Sequence, residues 1–202
     1  LATAGKRIAL VAVEQIRPQT TPLDLDYWFA PLKHERLDYM VQKAVEMGAA
    51  RLVPVLTRHT QVQRVNLDRM RANAIEAAEQ CGVLSISEVR EPLSLARALA
   101  ARDPDRLLVF CDEDAEVKDP VAALADARTA PHTLLPLVAR TGGPQPLAIL
   151  IGPEGGFSDE ERAALLKQPN VIRLSLGPRI LRADTAAVAA LTLVQAVLGD
   201  WR

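Results

Sequence analysis

Apolar positions along the chain alternate between two spacings, and this alternation predicts an α/β fold. Residues 35–47 carry apolar side chains every third or fourth position, the spacing of a helix with one face against a core. Short continuous apolar runs at residues 52–56 and 147–151 predict buried strands. Because strands and helices alternate to the end of the chain, the sequence predicts a mostly parallel sheet with helices on both faces.

The other elements follow from the same two spacings. Further strands are predicted at residues 6–16, 23–30, 106–110 and 171–174, with a weak strand within 83–89. Further helices are predicted at residues 67–81, 93–101, 117–127, 158–167 and 184–198. Glycines 48 and 82 stand where two of the helices would end. Residues 129–146 are rich in proline and are predicted to be mostly loop, with a turn of helix near Leu134.

The first residues differ from the rest in pattern. Residues 1–22 contain a strand-like run followed by a proline-containing linker, which is typical of the end of an upstream β-domain. Residues 23–202 are predicted to form the main domain. Since residue 1 is not Met, we expect the natural N-terminus to lie upstream.

Composition narrows the class of protein. Of 202 residues, 49% are hydrophobic and only 3% aromatic, which favours helices packed on a sheet over an all-β sandwich. The two cysteines, Cys81 and Cys111, lack metal-ligand spacing and the three histidines are scattered, so no metal site is predicted. No apolar run reaches the roughly 18 residues of a membrane span, and we expect a cytoplasmic protein without a membrane partner.

The charge is unevenly distributed. The net charge is −1, but residues 33–73 hold eight Lys and Arg against four acids, while residues 74–170 hold nine against sixteen. This asymmetry permits a polyanion to bind one face. An ordinary solvated surface is at least as good an interpretation of charge alone.

Two glycine-bearing loops, residues 151–157 and 176–182, each follow a predicted strand and precede a predicted helix. Glycines at a strand end let a ligand approach the main chain closely, so the loops are predicted to form two walls of one pocket. The first loop lacks the Walker and dinucleotide motifs. Glu154 would repel a phosphate, and the capping box at residues 158–161 adds three acids. A ligand without phosphate fits better, although a purely structural turn is an equal alternative.

The second loop carries two arginines, Arg179 and Arg182, three positions apart. We expect both on the buried side, where a guanidinium needs an acidic partner or a bound anion. Asp184 is predicted to be the N-cap of the last helix. The many alanines that follow permit close packing, either in a core or in an interface.

Both loops resemble a known family. Residues 151–161 (IGPEGGFSDEE) and 176–191 (LGPRILRADTAAVAAL) are similar to the C-terminal signature of bacterial 16S ribosomal RNA uracil-N3 methyltransferases, of the SPOUT superfamily. Residues 33–48, 51–58 and 76–81 resemble the family's upstream segments in the same order. The chain departs from the family pattern at Val83, where an arginine is usual, and at Ala183 and Asp184, where threonine and glutamate are usual.

The resemblance implies a C-terminal trefoil knot, a remnant of an N-terminal PUA-like β-barrel in residues 1–22, a homodimer and 16S rRNA of the small ribosomal subunit as partner. Because most of the barrel is absent, RNA docking by this chain alone is an open question. A related knotted tRNA ribose 2′-O-methyltransferase and a catalytically inert RNA-binding or ribosome-assembly protein are the alternatives.

The resemblance also implies a site. S-adenosylmethionine would be held by three loops with the residues Cys111, Glu113, Ile151, Gly152, Pro153, Glu154, Gly155, Gly156, Leu176, Gly177, Ile180 and Leu181. Arg182 and Arg179 would stabilise the uracil anion, and Asp184 would act as base or orient an arginine, unless it is only a helix cap. The expected RNA contacts are Arg58, His59, Arg64, Arg69 and Arg71, each of which could equally be an ordinary surface charge.

Overall fold

The computed structural model describes residues 2–4, 7–9, 11–116, 119–129 and 145–201. Within these residues seven parallel strands form one sheet, and two short strands pair separately in antiparallel fashion. The strands are β1 Ala2–Ala4, β2 Arg7–Ala9, β3 Leu25–Phe29, β4 Arg51–Leu56, β5 Glu88–Val89, β6 Leu93–Ser94, β7 Leu107–Cys111, β8 Leu147–Ile151 and β9 Val171–Leu174. The helices are α1 His34–Glu46, α2 Leu67–Cys81, α3 Leu95–Ala101, α4 Pro120–Thr129, α5 Asp159–Leu166 and α6 Ala183–Val197.

The sheet has the order β5-β4-β3-β8-β7-β9, and β6 pairs with β4. Alternate residues of each central strand face opposite sides, so both faces are buried, as parallel sheets require. One face packs with Tyr27 and Val109 against α1, α2, α4 and α6. The other packs with Trp28 and Phe110 against α3 and α5. The predicted fold class, a mostly parallel sheet with helices on both faces, is confirmed.

Most predicted elements are observed with small changes in their ends. The strands at residues 147–151 and 171–174 and the helix at 67–81 coincide with β8, β9 and α2. The predicted helix at 93–101 begins later, at Leu95, because Leu93–Ser94 pairs with β4 as β6. Similarly, α4 runs over Pro120–Thr129 instead of 117–127, and the weak strand within 83–89 is only β5.

The predicted strand at residues 6–16 is wrong over most of its length. Strand β2 ends at Ala9, and residues 11–16 are exposed and belong to no strand. The apolar side chains Val11 and Val13, which suggested a buried face, are 85% and 95% exposed, because no element among the described residues packs over them. The predicted turn near Leu134 and most of the predicted loop at 129–146 lie outside the described residues.

The amino-terminal ends of the central strands are joined by a charged network, which we call the amino edge. Arg106 donates to the Asp24 carboxylate at 2.9 and 3.1 Å and to the Leu147 carbonyl oxygen at 2.9 Å. Arg51 pairs with both Asp24 and Asp26. The charged groups of the amino edge are therefore paired with one another. A ligand site is expected at the other edge, at the carboxyl ends of the strands.

In the part of the chain that the structure describes, every helix is too short or too polar to cross a membrane.

Candidate active site

A cavity of about 530 Å³ opens at the carboxyl ends of β7, β8 and β9. Its walls are the segment after β7 from Cys111 to Glu113, the first glycine loop from Ile151 to Gly155, and residues 175–182 after β9, with two alanines of α6. The volume lies within the range of about 300 to 1,000 Å³ that is usual for small-molecule sites. We call it the loop cavity.

The structure brings the predicted cofactor residues together. Eleven of the twelve line the loop cavity: Cys111, Glu113, Ile151, Gly152, Pro153, Glu154, Gly155, Leu176, Gly177, Ile180 and Leu181. The exception is Gly156, which is buried behind the loop with a φ of 69°. A Cβ at Gly156 would overlap the Glu113 carboxylate, so the position shapes the loop.

The first glycine loop is fixed at both ends by contacts of its neighbours. Ser158 and Glu161 form the predicted capping box at the start of α5, with the two hydrogen bonds at 3.3 and 3.0 Å. Phe157 packs edge-on against Phe110 of β7, with ring centroids 6.0 Å apart. A Cβ at Gly152 would lie 2.8 Å from the Phe157 ring, so only glycine fits there.

Glu154 has a partner that the sequence did not indicate. Its carboxylate pairs with Arg36 of α1, which is 118 residues away in the chain. The pair reduces the negative charge that Glu154 was expected to present to a ligand. It also ties α1 to the first glycine loop.

Asp112 is a buried carboxylate at the wall of the loop cavity, and sequence reasoning missed its role. Its side chain is 0% exposed and accepts from Arg162 Nε at 3.1 and 3.2 Å and from Arg173 Nε at 2.8 Å. Arg162 lies on α5 and Arg173 on β9, so one carboxylate ties together the three elements around the cavity. The only signal in the sequence was an acidic residue directly after a buried strand.

The three predicted catalytic residues occupy different positions. Arg179 and Arg182 both line the loop cavity. Their expected burial is wrong, because both are exposed, and within the described residues neither guanidinium has an ion pair. They therefore lie exposed beside the cavity, and no carboxylate of the described residues pairs with them.

Asp184 lies outside the set of residues that line the loop cavity. The prediction that it caps α6 is wrong, because the helix begins one residue earlier and the backbone of Arg182 occupies the N-cap. Asp184 sits in the first turn, where its Oδ1 accepts from the Thr185 N–H at 2.9 Å.

Two buried groups below the cavity are held protonated. Burial, and then the neighbouring Asp112 carboxylate, raise the pKa of the Cys111 thiol to about 12. Burial, and then Cys111 and Asp184, raise the pKa of Tyr27 well above its ordinary value. Both groups are therefore held in their neutral, protonated form.

The five predicted RNA contacts lie in the loop after β4 and on α2. Three of them are paired with carboxylates: Arg58 Nη1 lies 3.4 Å from Glu160, Arg69 Nε 3.0 Å from Asp38, and Arg71 Nη1 2.9 Å from Asp68. Arg64 is exposed and has no ion pair among the described residues. His59 differs from the rest, because it reaches back to the glycine loop.

Residues 19–195 match the model of a protein family whose description is an RNA methyltransferase domain. The match covers well over half of the 202 residues. The chain belongs to this RNA methyltransferase family. The resemblance read from the two glycine loops is thereby confirmed at the level of the family.

Relatives of this RNA methyltransferase domain have informative names. The ribosomal RNA small subunit methyltransferase E of Rickettsia conorii is 27% identical over 186 residues, which are 90% of this chain and 68% of that protein. A methyltransferase structure from Legionella pneumophila with bound S-adenosylmethionine is 32% identical, with a TM-score of 0.68, and the match covers 87% of this chain and 66% of that one. The chain thus spans about two thirds of the length of these relatives.

A third comparison bears on the fold of the RNA methyltransferase domain. The ribosomal RNA small subunit methyltransferase E of Neisseria gonorrhoeae, solved with S-adenosylmethionine, superposes with a TM-score of 0.71 at 24% identity. The match covers 90% of this chain and 69% of that one. At this identity the likeness supports the parallel α/β architecture and says nothing of individual site residues.

Proposed function

We propose that the chain transfers a methyl group from S-adenosylmethionine to N3 of a uridine in 16S ribosomal RNA. The observation that carries the proposal is the loop cavity, since three separate loops that resemble the family's cofactor loops meet around one space of about 530 Å³. The family match and the names of the relatives support the same activity. The alternatives, a tRNA ribose methyltransferase and an inert RNA-binding protein, have no comparable support.

The chemistry of the cavity suits S-adenosylmethionine. This cofactor carries a sulfonium, an amino-acid end and an adenosine, and it has no phosphate. The loop cavity offers main-chain groups of two glycine loops, apolar side chains such as Leu176 and Leu181, and the Glu113 carboxylate at its rim. Among the described residues, its lining contains no lysine. When bound, the cofactor supplies an electrophilic methyl group.

The residues at the mouth of the cavity are suited to prepare the acceptor. Methylation of uracil N3 requires loss of the N3 proton, and the negative charge then spreads over O2, N3 and O4. Arg182 and Arg179 are exposed cations on the cavity wall whose N–H groups are not taken up by carboxylates of the described residues. They would stabilise that charge. Asp184, in the first turn of α6, would accept the proton or orient Arg182.

The test is direct. Calorimetry should give S-adenosylmethionine binding, and incubation with small ribosomal subunits that lack 3-methyluridine should place the label in that nucleoside, as read by mass spectrometry. Label in a ribose 2′-O-methyl nucleoside would assign the tRNA-type alternative. No cofactor binding by the folded chain would contradict the proposal and favour the inert protein.

The binding of RNA is part of this proposal. Arg58, Arg64, Arg69 and Arg71 would contact phosphates of the 16S rRNA, and His59 would contact a base near the first glycine loop. The loop after β4, which holds Arg58, His59 and Arg64, contacts the first glycine loop through His59, and this supports the assignment. A filter-binding titration against salt would give a steep loss of affinity if several phosphates are contacted.

We further infer, from the resemblance, a homodimer, a C-terminal trefoil knot formed around residues 175–182, and a cytoplasmic protein. Residues 1–22 would be a remnant of a PUA-like barrel and residues 23–202 the methyltransferase domain. A mass of twice 21.9 kDa by light scattering would support the dimer. A monomer at micromolar concentration would contradict it.

The reaction is proposed to need no metal. Asp112, Glu113 and Asp114 lie close enough together to be considered as ligands. However, all three pair with Arg162, at 3.1, 3.5 and 2.6 Å, so a cation would have to displace this guanidinium. Methyl transfer should therefore be unaffected by a chelator.

A further inference from the structure

We propose that a second cavity holds the uracil base to be methylated, and that His59 recognises it by accepting a hydrogen bond from N3–H. This rests on the proposed methyl transfer and assigns the acceptor site. The cavity measures about 510 Å³ and lies between the start of α1, the loop after β4, and Pro153 and Glu154 of the first glycine loop. We call it the acceptor cavity.

The acceptor cavity adjoins the loop cavity. Pro153 and Glu154 line both, so the two spaces are neighbours on either side of this one turn of the chain. Methyl transfer requires donor and acceptor atoms to come into contact, and a base bound elsewhere on the surface could not satisfy this requirement. The position therefore fits an acceptor site.

The protonation of His59 follows from its contacts. Its Nδ1 lies 3.1 Å from the carbonyl oxygen of Gly155 and 3.1 Å from that of Gly156. Carbonyl oxygens only accept, so Nδ1 must carry the proton. In the neutral ring Nε2 is then an unprotonated acceptor, and within the described residues no donor is bonded to it. His59 also lines the acceptor cavity.

The rest of the lining complements uracil. The base presents O2 and O4, which accept, on either side of N3–H, which donates. Arg36 and Gln61 supply donors beside the His59 acceptor, and Pro31, Leu32 and Val62 supply apolar surface for the ring. Arg36 is paired with Glu154, but a guanidinium has five N–H groups and keeps donors free.

The charge of the acceptor cavity and the tautomer of His59 together determine which base the cavity binds. The cations Lys33 and Arg36 are matched by the carboxylates Glu35 and Glu154, so the acceptor cavity has no net charge and suits a neutral base better than a phosphate. Cytosine has an unprotonated N3 that would face Nε2 acceptor to acceptor. N3-methyluracil, the product, has no N3 proton to donate. Both should bind more weakly than uracil.

The experiment measures this discrimination. The full chain, saturated with S-adenosylhomocysteine, is titrated with uridine, cytidine and N3-methyluridine 5′-monophosphates, with binding followed by NMR. We expect uridine monophosphate to bind about tenfold more tightly than the other two, the factor typical of one hydrogen bond in a partly enclosed site.

Two variants of His59 separate recognition from structure. His59→Asn keeps a donor near the position of Nδ1, and with it the contact to Gly155 and Gly156, but has no acceptor at Nε2. It should reduce the uridine preference to about twofold or less. His59→Gln can return an oxygen near Nε2 and should recover part of the preference. Arg97→Ala, an exposed change on α3 away from both cavities, should keep the wild-type ratio.

Each outcome bears on one proposal. Equal binding of the three nucleotides by the wild-type chain, or an unchanged preference in His59→Asn, would overturn the acceptor site. Binding of S-adenosylmethionine by the wild-type chain is measured separately. If it fails while the uridine preference holds, the proposed methyl transfer is wrong and the uracil site stands.

Discussion

Arginine side chains lie at both edges of the sheet, but their contacts differ. At the amino edge, Arg51 and Arg106 are paired with Asp24 and Asp26, and both arginines are largely buried. At the carboxyl edge, Arg179 and Arg182 are exposed beside the loop cavity and have no ion pair among the described residues. Paired charges satisfy one another within the fold, whereas unpaired charges beside a cavity are available to a ligand.

The carboxyl edge itself contains an exception. Asp112 and its partners Arg162 and Arg173 are paired and buried beneath the loop cavity. The exposed arginines of the site are therefore next to a buried set of ion pairs around Asp112. Five changes can break or sharpen this comparison.

Arg182→Ala should have the largest effect. We expect kcat to fall about 100- to 1,000-fold, as when one transition-state donor is removed. Its side chain has no partner to lose among the described residues, so the midpoint of thermal unfolding should change by no more than about 2 °C. Steady-state kinetics, calorimetry with S-adenosylmethionine and a thermal melt measure this. A stability loss with unchanged kcat would contradict the comparison, and Arg182→Lys should recover part of the rate.

Arg106→Met should lower the stability of the protein and leave its kcat unchanged, the opposite of Arg182→Ala. Its loss removes one of the two arginines that pair with Asp24 and the side-chain donor to the Leu147 carbonyl oxygen, and we expect about 3 kcal/mol of destabilisation. Urea unfolding measures this, and methyl transfer below the transition should be unchanged. The control Arg97→Met, on an exposed position of α3, should lie within about 0.5 kcal/mol of the parent.

Asp112→Asn tests the paired support of the site. The amide leaves Arg162 and Arg173 without a buried carboxylate, and we expect about 2 kcal/mol of destabilisation together with several-fold weaker cofactor binding. Urea unfolding and calorimetry give the two numbers. Asp114→Asn is the matched control, since Asp114 also pairs with Arg162 but is 62% exposed, and it should change stability by about 0.5 kcal/mol at most.

Ionisation of Asp24 should make the stability of the protein depend on pH. Burial opposes ionisation of Asp24, but hydrogen bonds from Arg51 and Arg106 outweigh it and lower its pKa in the folded state. Its stabilising contribution is therefore present above the ordinary aspartate pKa of about 4, and is lost as pH falls through the lowered folded value.

The comparison of the parent with Asp24→Asn measures this contribution. Because the side chain is 41% exposed, the difference in unfolding free energy at pH 7 should be only about 1 kcal/mol, and it should shrink toward pH 3. A difference that grows on acidification would contradict the assigned pairing.

The last prediction compares the alkylation rates of the two cysteines and involves no change in stability or kcat. Cys81 is exposed, while Cys111 is buried at the wall of the loop cavity with its pKa raised to about 12. At pH 8 iodoacetamide should modify Cys111 at least about 100-fold more slowly than Cys81, because the thiolate is the reacting species. Peptide mass spectrometry measures both rates. In urea the two should become equal, and comparable rates in the folded chain would contradict the burial of Cys111.

The periodic pattern of the sequence determined the order of helices and strands and the position of the two glycine loops. It did so because helix periodicity, buried strands and glycine turns are local properties that neighbouring residues set. The ends of β2 and α6 were misjudged for the same reason. Whether Val11 is covered, or whether α6 begins at Ala183 or Asp184, depends on packing that a local pattern does not contain.

The resemblance of the sequence to a known family named the twelve proposed cofactor residues, and eleven of them lie together because the carboxyl ends of parallel strands lie at one edge. Only the tertiary structure decided which charges are paired there. Glu154 pairs with Arg36 across 118 residues, and His59 reaches Gly155 across 96. Such contacts depend on the order β4-β3-β8-β7-β9, which brings remote segments together and leaves Arg179 and Arg182 exposed.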